Sequence, residues 1–240
     1  MSKLKIFGGK RVCGELTVQG SKNAALPILA ATVLIKGESI IHNCPDLSDI
    51  NAAIKILEHL GCMVKREGST IIVNSNGVND YTIPDNLMRE MRSSIIFLGS
   101  ILARTGKAKL CSPGGCELGP RPIDIHIQAL KKLGATINEH YGSLNCSVNG
   151  FLTGGEIFLS IPSVGATENA LIAASVAKGK TIIHNAAREP EIANLIDFLN
   201  NAGANIYYNN ERSHRIYAAC DVFLMPFWKV PPLLHPDCQL

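Results

Sequence analysis

Three stretches of the chain are apolar on every side rather than on one face: residues 24–35, 94–103 and 170–177, all dominated by Ala, Ile and Leu. A helix of that composition has no polar face to give to water, so each is predicted to be buried between other elements. Each lies in a longer helical stretch (23–36, 92–105 and 165–178) that ends on a glycine, Gly37, Gly106 or Gly179, as a helix C-cap would. Past each glycine comes a short β-branched strand. A second helix then shows apolar positions on one face only: Ile54, Leu57 and Leu60; Ile127, Leu130 and Leu133; Leu195, Phe198 and Leu199. These amphipathic helices stop at Gly61, Gly134 and Gly203, and paired strand-like runs follow, such as 62–66 with 70–73 and 135–139 with 144–148.

The pattern is an internal repeat. Gly37-Glu-Ser-Ile-Ile-His-Asn43 nearly matches Gly179-Lys-Thr-Ile-Ile-His-Asn185, and a weaker copy begins at Gly106. The predicted architecture is α/β (α+β): an inside-out, barrel-like domain of three βαβαββ units, about 21–74, 81–149 and 155–206, with buried helices inside and sheets outside. The repeat also acts as a control. From capping glycine to the glycine ending the second helix is 24 residues in the first and third copies (Gly37 to Gly61, Gly179 to Gly203) but 28 in the second (Gly106 to Gly134). The extra residues fall in Ser112-Pro-Gly-Gly-Cys-Glu-Leu-Gly-Pro-Arg-Pro122. A loop lengthened in one sibling and rich in glycine is a place to look for function.

Composition narrows the classes. The 240 residues are 46% hydrophobic and 18% charged, enough for a core without disulfides or a structural metal. The eight cysteines include no C-x-x-C pair and no histidine at ligand spacing, so no metal site is expected. The first residues carry lysines but no apolar leader. The longest apolar run, 24–35, is broken by Pro27 and Thr32, so no membrane partner and a cytoplasmic location are expected. A net charge of +3 spread along the chain, with 5% aromatics, argues against nucleic acid as a partner.

Cys116 sits between Gly115 and Glu117 in the lengthened loop, with Arg121 five residues on, Pro122 at the expected first helical position and Asp124 in the first turn. A guanidinium and a helix start lower a thiol pKa, and glycine N–H groups can cup an anion, so Cys116 reads either as a reactive thiol or general acid beside an anion site, or as a small residue in a turn. Cys44 is expected to be of the second kind, and Cys111 to be core. Aligning the copies on their glycines puts Asn23, Arg92 and Gly165 at equivalent helix starts. Helix starts bind anions, and Lys22, Arg92 and Arg121 suit phosphate or carboxylate groups. His42 and His184, in equivalent strands, are expected to share a structural role; His126 is expected to face solvent.

Four runs together resemble a known family: Gly20-Ser-Lys-Asn-Ala-Ala-Leu-Pro27, Met91-Arg-Ser-Ser94, the loop from Pro113 through Cys116 to His126, and Ser163-Val-Gly-Ala-Thr-Glu-Asn169. The family is that of the UDP-N-acetylglucosamine 1-carboxyvinyltransferases, enolpyruvyl transferases of peptidoglycan synthesis, and the resemblance covers residues 3 to about 206. It implies transfer of the enolpyruvyl group of phosphoenolpyruvate to the 3-hydroxyl of UDP-N-acetylglucosamine with release of phosphate, and it implies no cofactor. Carried over by position, Cys116 is the general acid and the thiol that forms a covalent adduct or reacts with fosfomycin. Lys22, Asn23, Arg92 and Arg121 would bind phosphoenolpyruvate. Asn23, Arg92, Arg121, Pro122, Ile123, Asp124, Ile125, Ser163, Val164 and Gly165 would bind the nucleotide sugar.

The resemblance further implies a second domain of three more units, which in the family supplies an aspartate base and another arginine. Residues 1–20 would pack with that domain, so strands near 4–7 and 15–18 are expected to lack partners, and turnover by this chain is expected to be impaired. The tail, 207–240, holds the single Trp and loses family character, which reads as a truncated or frame-shifted end. Other readings are a non-catalytic half-domain that binds a nucleotide sugar or a partner, a shikimate-type transferase, disfavoured by Cys116, and a fold-related RNA-processing enzyme, disfavoured by charge.

Overall fold

Burial follows the apolar pattern closely. The computed structural model describes residues 5–9, 11, 13–91, 93–111, 123–140, 142–208, 215–220 and 228–229. In chain order its elements are α1 (Lys22–Thr32), β1 (Glu38–Ile41), α2 (Ser48–His59), β2 (Met63–Glu67), β3 (Thr70–Asn74), β4 (Thr82–Ile83) and α3 (Asp85–Glu90). A 3-10 turn (Ser94–Ile96) leads into α4 (Phe97–Thr105), followed by β5 (Lys107–Cys111), α5 (Asp124–Lys132), β6 (Ala135–His140), β7 (Ser143–Val148) and β8 (Glu156–Phe158). The remainder comprises α6 (Val164–Ala174), β9 (Gly179–His184), α7 (Pro190–Asn201), β10 (Asn205–Tyr208), β11 (Ile216–Cys220) and β12 (Trp228–Lys229).

The helices that are apolar all round are the ones inside. Every residue of α1 from Ala24 to Thr32 and of α6 from Ala166 to Ala174 is buried, as is α4 from Phe97 to Leu102. α1 packs on α2, α4, α6 and α7, while α6 packs on α4, α5 and α7. The amphipathic helices bury one face each, for example Ile50, Ala53, Ile56 and Leu57 of α2. Removing this apolar surface from water is the main favourable term in folding.

Three four-stranded sheets face this helical interior, in the orders β12-β1-β3-β2, β4-β5-β7-β6 and β8-β9-β11-β10. Each has the same pairing scheme: one parallel pair at one edge, then two antiparallel steps. The central antiparallel pairs place buried residues opposite one another, Ile41 with Ile71, Leu110 with Leu144 and Ile183 with Ile216. Alternation along β3 and β7 sends the other residues outward, the signature of a sheet covered on one face. Helices inside and sheets outside match expectation. The sheets are open, however, and none closes on itself as a barrel does.

Several details differ from the sequence reading. Of the three glycines expected as C-caps, Gly106 is one: it has φ 74° and its N–H bonds the Leu102 carbonyl. α1 stops at Thr32, five residues before Gly37, and α6 at Ala174, before Ser175. There the hydroxyls of Thr32 and Ser175 donate back to the Leu29 and Ile172 carbonyls, and Val33, Leu34 and Ile35 close onto carbonyls three residues back. Hydroxyls that bond within the last turn compete with the helix ladder and help end it. The second long helix starts later than expected, at Phe97 after the 3-10 turn.

Third-sheet pairing continues through β11 to Cys220, past the expected boundary at 206, because β11 fills the place between β10 and β9. No strand forms among the described residues of 5–20, where Ile6, Phe7, Leu16 and Val18 are each about 80% exposed, as unpartnered backbone would be.

Asn43 and Asn185, which close the two matching heptapeptides, both adopt left-handed backbone, φ 56° and 55°. His42 and His184 lie at corresponding places but bond differently. His42 Nδ1 lies 3.1 Å from Thr70 Oγ1, whereas His184 stacks on Phe158 and its Nε2 is 3.2 Å from Glu156.

Leu29, fully buried at the centre of α1, is predicted to cost about 2–5 kcal/mol when replaced by Ala, whereas Met63→Ala on an exposed edge strand is predicted to stay within about 0.5 kcal/mol. Urea unfolding of the two variants measures the difference.

Candidate active site at the helix starts

The site expected from sequence is distributed over the starts of helices, and the local sequence explains why each helix starts where it does. Ser21 caps α1 by accepting from the Ala24 N–H, and Ser163 caps α6 by accepting from the Ala166 N–H, both at 3.4 Å. Gly20, just ahead of α1, lies against the backbone carbonyl of Asn43, so closely that a Cβ there would overlap the carbonyl oxygen. Only glycine permits that approach, and it sets the entry of α1 against the left-handed turn after β1.

Lys22 opens α1. Its ammonium sits at the positive end of the helix dipole, an unfavourable place for a cation, and is held by Asp49 Oδ2 at 2.7 Å. Asp49 is in the first turn of α2, where an anion is favoured, so the pair joins two helix starts. Asn23 is exposed beside it. Pro27 lacks an N–H, which leaves the Asn23 carbonyl without its usual partner four residues on.

Ile123 is the N-cap of α5, and Asp124 and Ile125 form its first turn, with Ile125 buried. Ser163, Val164 and Gly165 open α6. The structure brings these two starts together: a Cβ at Gly165 would lie 3.2 Å from His126 Cε1, so the α6 entrance is in contact with the first turn of α5. Lys22 and Asn23 belong to α1, whose first turn is tied to α2, although α1 also packs on α4 and α6. Cys116, Arg92, Arg121 and Pro122 lie outside the described residues, and so does the Cys111 side chain.

Sequence reasoning missed the interior of this site. His126, expected to face solvent, is buried at 8% exposure. Its pKa is pushed down to about 4, chiefly by burial, with Asp124 opposing, so the ring is neutral at pH 7. Asn169, on α6, lies 3.1 Å from His126 Nδ1, donates to the Ile95 carbonyl at 2.8 Å and accepts from the Gly99 N–H at 2.6 Å. Thr167 donates to the Ser163 carbonyl and accepts from the Ala187 N–H. Between them Glu168 is buried and its carboxyl is pushed up to about 8, first by burial and then by Glu191 and Glu189. A signal was available: Thr167, Glu168 and Asn169 are three polar residues in a buried stretch, Ala166 to Ala174, otherwise composed of Ala, Leu and Ile, where each must find an interior partner or lose its charge.

Cys44, expected as a small turn residue, is instead buried in the core, and burial raises its thiol to about 11. Among the described residues there is no cluster of His, Cys, Asp and Glu suited to a metal, and no helix long and apolar enough to cross a membrane.

Helices enclosed by three open sheets are an architecture shared with solved enolpyruvyl transferases. The enolpyruvyl transferase NikO from Streptomyces tendae aligns with a TM-score of 0.78 at 21% identity, covering 91% of this chain and 52% of that one. EPSP synthase from Acinetobacter baumannii aligns with a TM-score of 0.69 at 17% identity, covering 91% and 49%. These likenesses establish the fold. In sequence, the model of the EPSP synthase (3-phosphoshikimate 1-carboxyvinyltransferase) family matches residues 6–221, and the chain belongs to that family. Within it, the chain is 55% identical over 206 residues to UDP-N-acetylglucosamine 1-carboxyvinyltransferase 2 of Caldanaerobacter subterraneus subsp. tengcongensis, covering 86% of this chain and 49% of that relative. It is 50% identical over 206 residues to UDP-N-acetylglucosamine 1-carboxyvinyltransferase 1 of Symbiobacterium thermophilum, covering 84% and 47%. The chain thus spans about half the length of the curated relatives it matches.

Glu168 makes stability depend on pH in a defined direction. Its folded pKa is raised from 4.5 to about 8, so between those values the unfolded chain gives up a proton that the folded chain keeps, and stability falls as pH rises. Glu168→Gln is therefore predicted to match the wild type near pH 4 and to gain over it up to pH 8, by roughly 2–8 °C in Tm, read by thermal melts across pH. Gly20→Ala is predicted to lower Tm at all pH values, because the Asn43 carbonyl must move.

Proposed function

We propose that this chain forms the part of a UDP-N-acetylglucosamine 1-carboxyvinyltransferase that carries the reactive loop, acting in the cytoplasm on small-molecule substrates with no nucleic-acid or membrane partner. The observation that carries this reading is the 55% identity over 206 residues to a relative bearing that name. The meeting of the α5 and α6 starts at His126 supports it, since that contact gathers the residues expected to hold the nucleotide sugar. In this reading 21–206 is a domain of three repeated units, extended by β11 into the third sheet, with 1–20 and the tail from 207 as flanking segments. The common pairing scheme of the three sheets supports the repeat.

The reaction joins the sugar 3-hydroxyl oxygen to C2 of phosphoenolpyruvate as the C2=C3 double bond opens; the hydroxyl proton passes to the aspartate base that the resemblance implies in a second domain, and a proton from Cys116 goes to C3. The C2–O bond to phosphate then breaks, and a proton leaves C3 to restore the double bond. Lys22, Arg92 and Arg121 neutralise the phosphate and carboxylate of phosphoenolpyruvate, and Asn23 binds it through its amide. Asn23, Arg92, Arg121, Pro122, Ile123, Asp124, Ile125, Ser163, Val164 and Gly165 bind UDP-N-acetylglucosamine, the α6 start offering N–H groups to the diphosphate. Fixed donors and cations at these positions stabilise developing negative charge without reorganising. The pairing of Lys22 with Asp49 supports the role of Lys22, because it holds the ammonium between two helix starts.

Half the length of the relatives favours a second reading for the chain alone: it binds the nucleotide sugar without turning it over. A missing base slows proton transfer by roughly 10²–10⁴-fold. Calorimetry is expected to show UDP-N-acetylglucosamine binding to this chain, mass spectrometry to show fosfomycin adduct at Cys116, and phosphate release to stay near background. Absence of both binding and adduct would overturn the proposal.

A further inference from the structure

The side-chain amide of Asn169 has four hydrogen-bonding positions, and three are committed to three different elements. Its Oδ1 accepts from the Gly99 N–H on α4 at 2.6 Å; its Nδ2 donates to the Ile95 carbonyl in the 3-10 turn at 2.8 Å and lies 3.1 Å from His126 Nδ1 on α5. Turning the amide over would set two acceptors face to face at Ile95 and two donors at Gly99, so a single orientation is allowed. That orientation points an N–H at His126 Nδ1. Nδ1 must therefore accept, and the ring proton must be on Nε2. The geometry is tight on both sides: a Cβ at Gly99 would lie 2.5 Å from Asn169 Oδ1, and one at Gly165 would lie 3.2 Å from His126 Cε1 and 3.5 Å from Nε2.

We propose that Asn169, midway along α6, is a positioning residue that locks the starts of α4 and α5 to α6 and fixes His126 as the Nε2–H tautomer, presenting a neutral N–H donor edge beside Gly165 at the entrance of α6. The link from this lock to nucleotide-sugar binding rests on the function proposed above; the lock itself rests on the bonds of Asn169 alone. Ile123 to Ile125 open α5 and Ser163 to Gly165 open α6, so one fully buried amide sets the spacing of two parts of the proposed site. A group that only filled space in the core would not choose between tautomers.

The test uses the whole chain, labelled with 15N, and reads the ring nitrogens of His126 at pH 7. The wild type is expected to show protonated Nε2 and unprotonated Nδ1. Asn169→Asp replaces the donor facing Nδ1 with a carboxylate and is expected to move the proton to Nδ1 and to weaken UDP-N-acetylglucosamine binding roughly tenfold, the size of one or two lost hydrogen bonds. Should Asn169→Asp fail to fold, the wild-type tautomer and the hydrogen-exchange protection of the Gly99 amide decide instead, with strong protection expected. Protonated Nδ1 in the wild type, or a folded Asn169→Asp with unchanged tautomer, overturns the lock. An Nε2–H wild type that neither binds UDP-N-acetylglucosamine nor forms the fosfomycin adduct leaves the lock in place and overturns the functional reading instead.

Discussion

A helix buried on every side has no water to turn to, so each polar atom on it must be answered from within the protein. α6 is such a helix, and it carries Thr167, Glu168 and Asn169 in successive positions. Thr167 and Asn169 meet the requirement with a bond back to Ser163, the N-cap of the same helix, and bonds to three other segments, those around Ala187, Ile95 to Gly99, and His126. Glu168 meets it by favouring its neutral form, since burial and two nearby carboxylates disfavour the charge. The arrangement of the surrounding helices follows from these demands as much as from apolar packing.

Close approach is the second constraint. Gly20 admits the Asn43 carbonyl, Gly99 admits Asn169, and Gly165 admits the His126 ring. Each glycine lies at or near the start of a helix, so these close approaches also fix where helix dipoles end. The same region holds Lys22 against Asp49, a cation at the positive end of one helix matched to an anion in the first turn of the next.

Much of the architecture was legible beforehand. Apolar periodicity separates the buried helices α1, α4 and α6 from the one-sided helices α2, α5 and α7, because the two environments demand different compositions over ten or so residues. Helix ends were less legible: Gly37 and Gly179 resembled caps, yet hydroxyl back-bonding at Thr32 and Ser175 accompanies earlier ends. Among the residues expected in the site, Lys22, Asn23 and Ser163 to Gly165 were placed at helix starts by repeat alignment, and Asp124 by its acidic first-turn position. His126 was misread, since a histidine two residues after an acidic first-turn residue looks solvent-facing until the neighbouring helix is known.

By itself the sequence determined which helices are buried all round and which on one face, because composition and spacing are local properties that survive without coordinates. Tertiary structure alone decided who answers whom: Asn169 with His126, Lys22 with Asp49, and β11 between β9 and β10. These partners lie 43 and 27 residues apart in the first two cases, and hydrogen-bond geometry at such separations depends on how packed helices and sheets align, which no local pattern encodes.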